Sequence, residues 1–248
     1  MNKKIIGIIP ARYKSSRFPG KPLVKLLGKP MIVWVAELAS IALGKKNVVI
    51  ATDDFRIVKV AEEAGYKTIM TSEKHLTGTD RLVEVARKIK SDIYINIQGD
   101  EPTVDPNVIL KVAEEKINNP NSIVCAMAKL DSTEDPNNIN IPKVIVNENK
   151  NLIYMSRLAI PGYKNKSNKP QNYYKQVCVY AFNQDQLLSF GDFGRKSKLE
   201  ECEDIEILRF LDLKTSIKMV EVEGISYAID VKEDIDIVNN RLKEIHKK

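Results

Sequence analysis

The sequence predicts an α/β protein: a mostly parallel sheet with helices on both faces, interrupted by an antiparallel excursion at about residues 123–182. Three observations carry this. Short apolar runs alternate with amphipathic stretches of helical length through the first half of the chain. Strands joined by crossover helices lie parallel, so this alternation implies a parallel sheet. In the third quarter the strand-like runs continue while the helices between them vanish, and strands joined without helices pair antiparallel.

Residues 5–9, Ile-Ile-Gly-Ile-Ile, are continuously apolar and stop at Pro10, as a strand buried on both faces should. Pro30 opens a helix to about residue 43, since proline is tolerated in a first turn. Residues 48–51 read as a second strand, and 57–64 as a helix closed by Gly65. A third strand at 67–70, a helix at 79–89 and a fourth strand at 93–97 follow. Asp105 is the expected N-cap of a helix over 105–117. The excursion then supplies strands at 123–128, 143–146, 152–156 and 174–182. Residues 161–170, rich in Lys, Asn, Ser and Pro, form a loop. Helices return at 184–189, 203–213 and 231–245, with a strand at 217–222. The 248 residues suit a single domain, 1–248. Such a chain buries a sizeable core without cross-links.

Composition excludes several classes. No apolar run reaches the roughly eighteen residues of a membrane span. The apolar run after the basic N-terminus is cut short by Pro10 and Arg12, so it reads as a strand and not as a signal peptide. Cys125, Cys178 and Cys202 lie far apart, without a CxxC pair. That argues for idle thiols in a reducing, cytoplasmic compartment. The net charge is +6, spread over scattered lysines. Without a basic stripe or an aromatic platform, no nucleic-acid partner is expected. Anionic small molecules suit this charge.

Residues 10–21 read Pro-Ala-Arg-Tyr-Lys-Ser-Ser-Arg-Phe-Pro-Gly-Lys. They follow the first strand, where open α/β sheets bind ligands. Arg12, Lys14, Arg17 and Lys21 supply charge, and Ser15, Ser16 and Gly20 let backbone N–H groups approach. A triphosphate asks for that density of charged donors. The loop has neither Walker A nor G-x-G-x-x-G spacing. Asp100 follows the strand at 93–97 beside Gly99. One carboxylate there and one from a distant loop, with phosphate oxygens and water, would suit Mg2+. Glu101 reads as a supporting group. Arg81 reads either as a phosphate ligand or as half of a structural ion pair. His75 reads as a surface residue.

Several segments carry a resemblance, in order. They are Ile8-Ile9-Pro10-Ala11-Arg12-Tyr13, Ser15-Ser16-Arg17-Phe18-Pro19-Gly20-Lys21-Pro22-Leu23 and Gly28-Lys29-Pro30-Met31-Ile32. Ala51-Thr52-Asp53-Asp54, Met70-Thr71-Ser72 and Gly78-Thr79-Asp80-Arg81 follow. Gln98-Gly99-Asp100-Glu101-Pro102 and Ser156-Arg157-x-x-Ile160-Pro161 complete the series. In these the chain resembles the bacterial CMP-Kdo synthetases, the 3-deoxy-manno-octulosonate cytidylyltransferases, over most of its length. The sialic-acid-activating cytidylyltransferases have a different opening loop.

The resemblance implies a Rossmann-like fold of the nucleotide-diphospho-sugar transferase type. It implies transfer of CMP from CTP to the anomeric hydroxyl of a 3-deoxy-ulosonic acid such as Kdo, with release of pyrophosphate, in lipopolysaccharide biosynthesis. Lys21, Asp100 and Asp230 become the catalytic residues, the two aspartates holding Mg2+. Asp230 also reads as a helix cap, with Glu233 three residues on, and one residue can serve both purposes. Ala11, Arg12, Arg17, Lys21, Met70, Ser72, Thr79 and Gln98 are implied nucleotide contacts. Arg157, Gln176, Tyr180 and Glu206 are implied sugar contacts, Arg157 taking the sugar carboxylate. A homodimer is implied as well. The strands at 152–156 and 174–182 have few helices to cover them, which points the same way.

Two positions depart from the family pattern. The family reads Lys-His-Ile-Gly-Ile-Tyr where this chain has Lys175-Gln176-Val177-Cys178-Val179-Tyr180. It reads Glu-Gln-Leu-Arg where this chain has Glu206-Ile207-Leu208-Arg209. Gln176 still hydrogen-bonds and Ile207 does not. The expectation is an intact nucleotide half and an altered sugar half. CMP activation of an amino-Kdo-like or sialic-acid-like acid is therefore the alternative. A sugar-1-phosphate nucleotidyltransferase and an inactive nucleotide-binding relative are the more distant ones.

Overall fold

A computed structural model describes residues 3–14, 18–223, 227–229 and 231–246. The chain runs β1 (Ile5–Ala11), β2 (Lys25–Leu26), β3 (Lys29–Pro30), α1 (Met31–Leu43), β4 (Val48–Thr52), α2 (Phe55–Glu63) and β5 (Lys67–Met70). Then come α3 (Gly78–Lys88), β6 (Ile93–Ile97), α4 (Pro106–Asn118), β7 (Ile123–Lys129), β8 (Lys143–Val146) and β9 (Leu152–Ser156). β10 (Tyr174–Phe182), α5 (Gln184–Asp192), α6 (Lys198–Glu203), α7 (Arg209–Asp212), β11 (Ile217–Glu221) and α8 (Asp234–His246) complete it.

The main sheet has the order β11-β7-β10-β6-β1-β4-β5. β1 pairs parallel with β4 and β6, and β11 pairs parallel with β7. Alternation along β1 divides the core. Ile9 and Ala11 face a cluster closed by Val35 and Ala36 of α1, Ile57 of α2 and Val112 of α4. Ile6 and Ile8 face Leu82 and Val85 of α3, Leu187 and Phe190 of α5, and Phe210 of α7. A third cluster joins Phe18 and Leu26 to Trp34 of α1, Ile229, and Val238 and Leu242 of α8.

The structure corrects two expectations and adds one element. β10 is not an uncovered strand of a separate excursion: it lies inside the main sheet, antiparallel to both β6 and β7. Val177, Val179 and Ala181 are buried in one core cluster, and Tyr180 and Phe182 in the other. The part that stands apart is the β8–β9 hairpin, which joins the sheet through β8 against β10. The expected helix over 203–213 is broken. α6 ends at Glu203, Asp204 takes a left-handed φ of 49°, and a one-turn 3-10 helix spans Glu206–Leu208 before α7. A small β2–β3 hairpin also interrupts the chain before α1. Its turn is Leu27-Gly28, with φ of 47° and 85°, and the positive φ is what Gly28 supplies.

Candidate active site

The parallel strands β1 and β6 end side by side, and the segments that leave them open a cavity of about 930 Å³. Two glycines make its floor. A Cβ on Gly99 would lie 2.9 Å from the Pro10 carbonyl oxygen, and one on Gly78 would lie 3.1 Å from Gln98 Nε2. A side chain at 99 would collide with backbone, and one at 78 would press on the Gln98 amide.

Ala11, Arg12 and Lys21 line this cavity. Ser15, Ser16 and Arg17 lie outside the described residues. Gly20, at φ 73°, donates its N–H to Tyr13 O at 2.9 Å and closes the loop. The β4–α2 turn braces the loop from outside. Arg56 pairs with Asp54 at 2.6 Å and stacks 3.3 Å from the Tyr13 ring centre. Asp53 accepts the Tyr13 N–H at 3.4 Å and the Arg81 guanidinium at 2.8 Å. Arg81 is 3% exposed and lines the cavity, so its ion pair with Asp53 stands at the cavity's edge.

Asp100 lines the cavity, and its Oδ2 accepts Lys21 Nζ at 2.8 Å. Among the described residues no cluster of three or more His, Cys, Asp or Glu could hold a metal ion. A partly exposed carboxylate such as Asp100, whose side chain is 31% exposed, is what magnesium asks of a protein when phosphate and water supply its other ligands. The donor set at Asp100 therefore fits Mg2+. Asp230 lies outside the described residues.

The opposite wall is β10. Gln176, Cys178 and Tyr180 alternate onto the cavity side. The register against β7 shifts between Val177 and Tyr180, and such irregularities re-aim side chains at active sites. Gln176 Nε2 donates to the Tyr180 hydroxyl at 2.9 Å. Burial pushes the Tyr180 phenol well above its ordinary range. Glu206 reaches the same wall from the 3-10 turn. It accepts Gln98 Nε2 at 2.9 Å and the Thr79 N–H at 2.9 Å. Burial raises its carboxyl above the ordinary range, and the Thr79 hydrogen bond opposes this. Behind it Arg209, 1% exposed, pairs with Glu200 at 2.7 Å and Asp80 at 2.8 Å. That network ties α6 and α7 to the start of α3, and so fixes the turn that carries Glu206.

Ile207 is 0% exposed and packs in the core among the neighbours of Phe210. It does not line the cavity, so the expected loss of a sugar contact there is corrected: the broken helix turns Ile207 inward and Glu206 outward. Arg157 does line the cavity, but its Nη1 donates to Ile139 O and its Nη2 to Asp204 O. Its Nε donates to Glu203 O. Its visible task is to join the 131–142 segment to the end of α6. Lys143 and Lys175 hold the same segment through Asn138 O and the Glu134 carboxylate.

Met70, Ser72 and Thr79 do not reach the cavity wall. The Met70 carbonyl accepts Lys88 Nζ, the Ser72 N–H donates to Glu84, and the Thr79 N–H donates to Glu206. His75 is not an idle surface residue: it lines the cavity, with Nε2 2.7 Å from Glu84 Oε2. Burial works against ionisation of Glu84. The Lys88 ammonium, the Ser72 N–H and His75 outweigh it and hold the carboxyl down at about 2.

Sequence reasoning missed the 133–142 wall, which was written as a series of Asx turns. Asp131, Asp135 and Asn138 each accept the N–H two residues on. It also missed Lys196, Tyr227 and Asp234 at the rim.

A mostly parallel α/β sheet with Arg12, Lys21 and Asp100 beyond its strand ends, facing a polar wall, is the arrangement expected of a nucleotidyltransferase. The sequence profile of the cytidylyltransferase family matches residues 6–219. The 3-deoxy-manno-octulosonate cytidylyltransferase of Leptospira interrogans serogroup Icterohaemorrhagiae serovar copenhageni (strain Fiocruz L1-130) is 39% identical over 246 residues, 98% of each chain. That of Escherichia coli is 38% identical over 230 residues, 93% of this chain and 92% of its own. A CMP:2-keto-3-deoxy-manno-octonic acid synthetase solved in complex with CTP superposes with a TM-score of 0.88 at 35% identity, covering 97% of this chain and 99% of its own. The chain belongs to the 3-deoxy-manno-octulosonate cytidylyltransferase family.

Proposed function

We propose that this protein transfers CMP from CTP to the anomeric hydroxyl of Kdo and releases pyrophosphate. One observation carries the reading. Arg12, Lys21 and Asp100 share a single cavity with the wall of Gln176, Tyr180 and Glu206, in a chain 39% identical to a named Kdo cytidylyltransferase. The burial of Ile207 removes one of the two reasons to expect a different sugar.

The anomeric oxygen bonds to the α-phosphorus as the bond from that phosphorus to the pyrophosphate oxygen breaks. The hydroxyl proton passes to water. Arg12, Arg17 and Lys21 bind the triphosphate and neutralise the departing pyrophosphate, so catalysis is mainly positioning and charge stabilisation. Gln98 turns its amide nitrogen to Glu206 and so offers its oxygen to the ligands. Gln176, Tyr180 and Glu206 orient the sugar hydroxyls. Arg157 keeps unspent N–H groups for the sugar carboxylate beside those it gives to main-chain carbonyls. Asp100 and Asp230 are the residues that would hold Mg2+, which would supply charge neutralisation for the phosphates and lower the pKa of the sugar hydroxyl.

The decisive experiment is pyrophosphate release with each of the four nucleoside triphosphates against a panel of ulosonic acids. Release that requires both CTP and Kdo supports the reading. Release with a sugar 1-phosphate, or with another ulosonic acid only, defeats it.

The same reading includes a homodimer through the β8–β9 region, where Ile139, Ile153 and Leu158 are exposed. It places the protein in the cytoplasm, with its CTP. Among the described residues no helix is long and apolar enough to cross a membrane.

A further inference from the structure

Lys21 Nζ lies 2.8 Å from Asp100 Oδ2 and 2.7 Å from the carbonyl oxygen of Ile229. The Lys21 side chain is 16% exposed and that of Asp100 is 31% exposed. The ammonium thus sits on the carboxylate assigned above to the divalent ion, in a partly dehydrated place. Both acceptors are held by other contacts. The Ile229 N–H donates to the Asp100 carbonyl at 3.0 Å, and the Ile229 side chain is buried against Phe18, Trp34 and α8. The neighbouring Tyr227 N–H is fixed by Thr103 Oγ1 at 2.8 Å. Among the described residues these two anchored oxygens hold the ammonium.

We propose that Lys21 is a stand-in cation, which keeps the Asp100 site closed to a metal ion arriving alone and yields it when nucleotide phosphates take up the ammonium. The proposal rests on the reading of Asp100 as a metal carboxylate. The physics is a competition between two cations for one anion. An ion that arrives alone has to displace the ammonium toward water, and separating a partly buried pair is costly. When phosphates arrive with the ion, the ammonium gains an anion as it leaves Asp100. Lysine suits this exchange, because its charge is compact and its four-carbon stem swings freely. Metal and nucleotide then favour each other's binding, and by linkage the effect is reciprocal. The empty enzyme is spared metal held without substrate.

The test uses Mn2+ as the metal probe, titrated alone and followed by paramagnetic resonance of the free ion. Wild type should bind it weakly. Lys21→Met should bind it about tenfold tighter or more, and the added Asp100→Asn change should abolish the gain. Lys21→Gln, which keeps a donor for the Ile229 carbonyl, repeats the measurement if Lys21→Met does not fold. Equal Mn2+ affinity in wild type and in the folded Lys21 variant overturns the proposal. Failure of the underlying reading looks different: an Asp100→Asn protein that binds Mn2+ together with CTP as wild type does removes Asp100 from the metal site.

Discussion

Glu206 holds the amide nitrogen of Gln98 at 2.9 Å, and through that bond a residue near the end of the fold sets which way a residue on the β6 loop points. A carboxylate only accepts, so the amide cannot turn over without losing the bond. Glutamine at 206 both donates and accepts, and would release it. Glu206→Gln should fold and lower turnover by about tenfold or more, with the larger effect on kcat.

The same variant reports on pH. Burial raises the Glu206 carboxyl above its reference value of 4.5. A raised folded pKa means that the folded state binds more protons, so the contribution is full below that value and is lost as pH rises through the folded pKa. Glu206→Gln does not titrate. Its melting temperature minus that of wild type should therefore grow as the pH rises above 4.5. A constant difference would show that Glu206 titrates normally.

Glu84 has the opposite sign. Its carboxyl is held at about 2, below the reference value of 4.5. Its contribution is present above 4.5 and lost as pH falls through the folded value. Near neutral pH, Glu84→Gln should cost about 1–3 kcal/mol of stability, as charged hydrogen bonds to Ser72, His75 and Lys88 are weakened. In urea titrations that gap should close toward about pH 2.

Asp100→Asn should reduce turnover about a hundredfold or more, the scale for removing a key electrostatic group, with an unchanged circular dichroism spectrum. Near-normal turnover would exclude Asp100 from catalysis. Arg12→Ala should weaken CTP binding by about tenfold or more, and the deficit should shrink in high salt as charge contacts are screened. Calorimetry reads both.

The two departures from the family pattern should behave differently. Gln176 faces the cavity, so Gln176→His should alter KM for Kdo and leave KM for CTP unchanged. Ile207 is buried, so Ile207→Gln should lower stability by about 1–3 kcal/mol through an unpaired amide. It should not improve use of Kdo. A gain in Kdo turnover from Ile207→Gln would return that position to the sugar site.

The strands at 143–146, 152–156 and 174–182 were legible to the residue. Each is an apolar or β-branched run bounded by Pro, Asn or a polar turn, and such signals are local. The place of β10 between β6 and β7 was not legible, because strand order depends on contacts far apart in the chain. That Arg12, Lys21 and Asp100 face a common cavity could be anticipated from residue type beside a strand end. Arg157's bonds to carbonyls could not, since every residue offers a carbonyl and none announces it in sequence. The inward turn of Ile207 follows from a single left-handed residue, Asp204, which breaks a helical periodicity that otherwise reads straight through. The pairing of His75 with Glu84 spans a loop whose path sequence does not specify.

The third hydrophobic cluster has a consequence for the opening loop. Phe18 and Leu26, from the chain's opening, are sealed by Ile229, Val238 and Leu242 from the segment beyond β11. Among the described residues no strand of the sheet lies past Glu221, and Val222 adds its N–H bond to Met127 O. The underside of the opening loop is thus covered by the C-terminal segment, so a chain that lacks α8 would leave Phe18 and Leu26 bare.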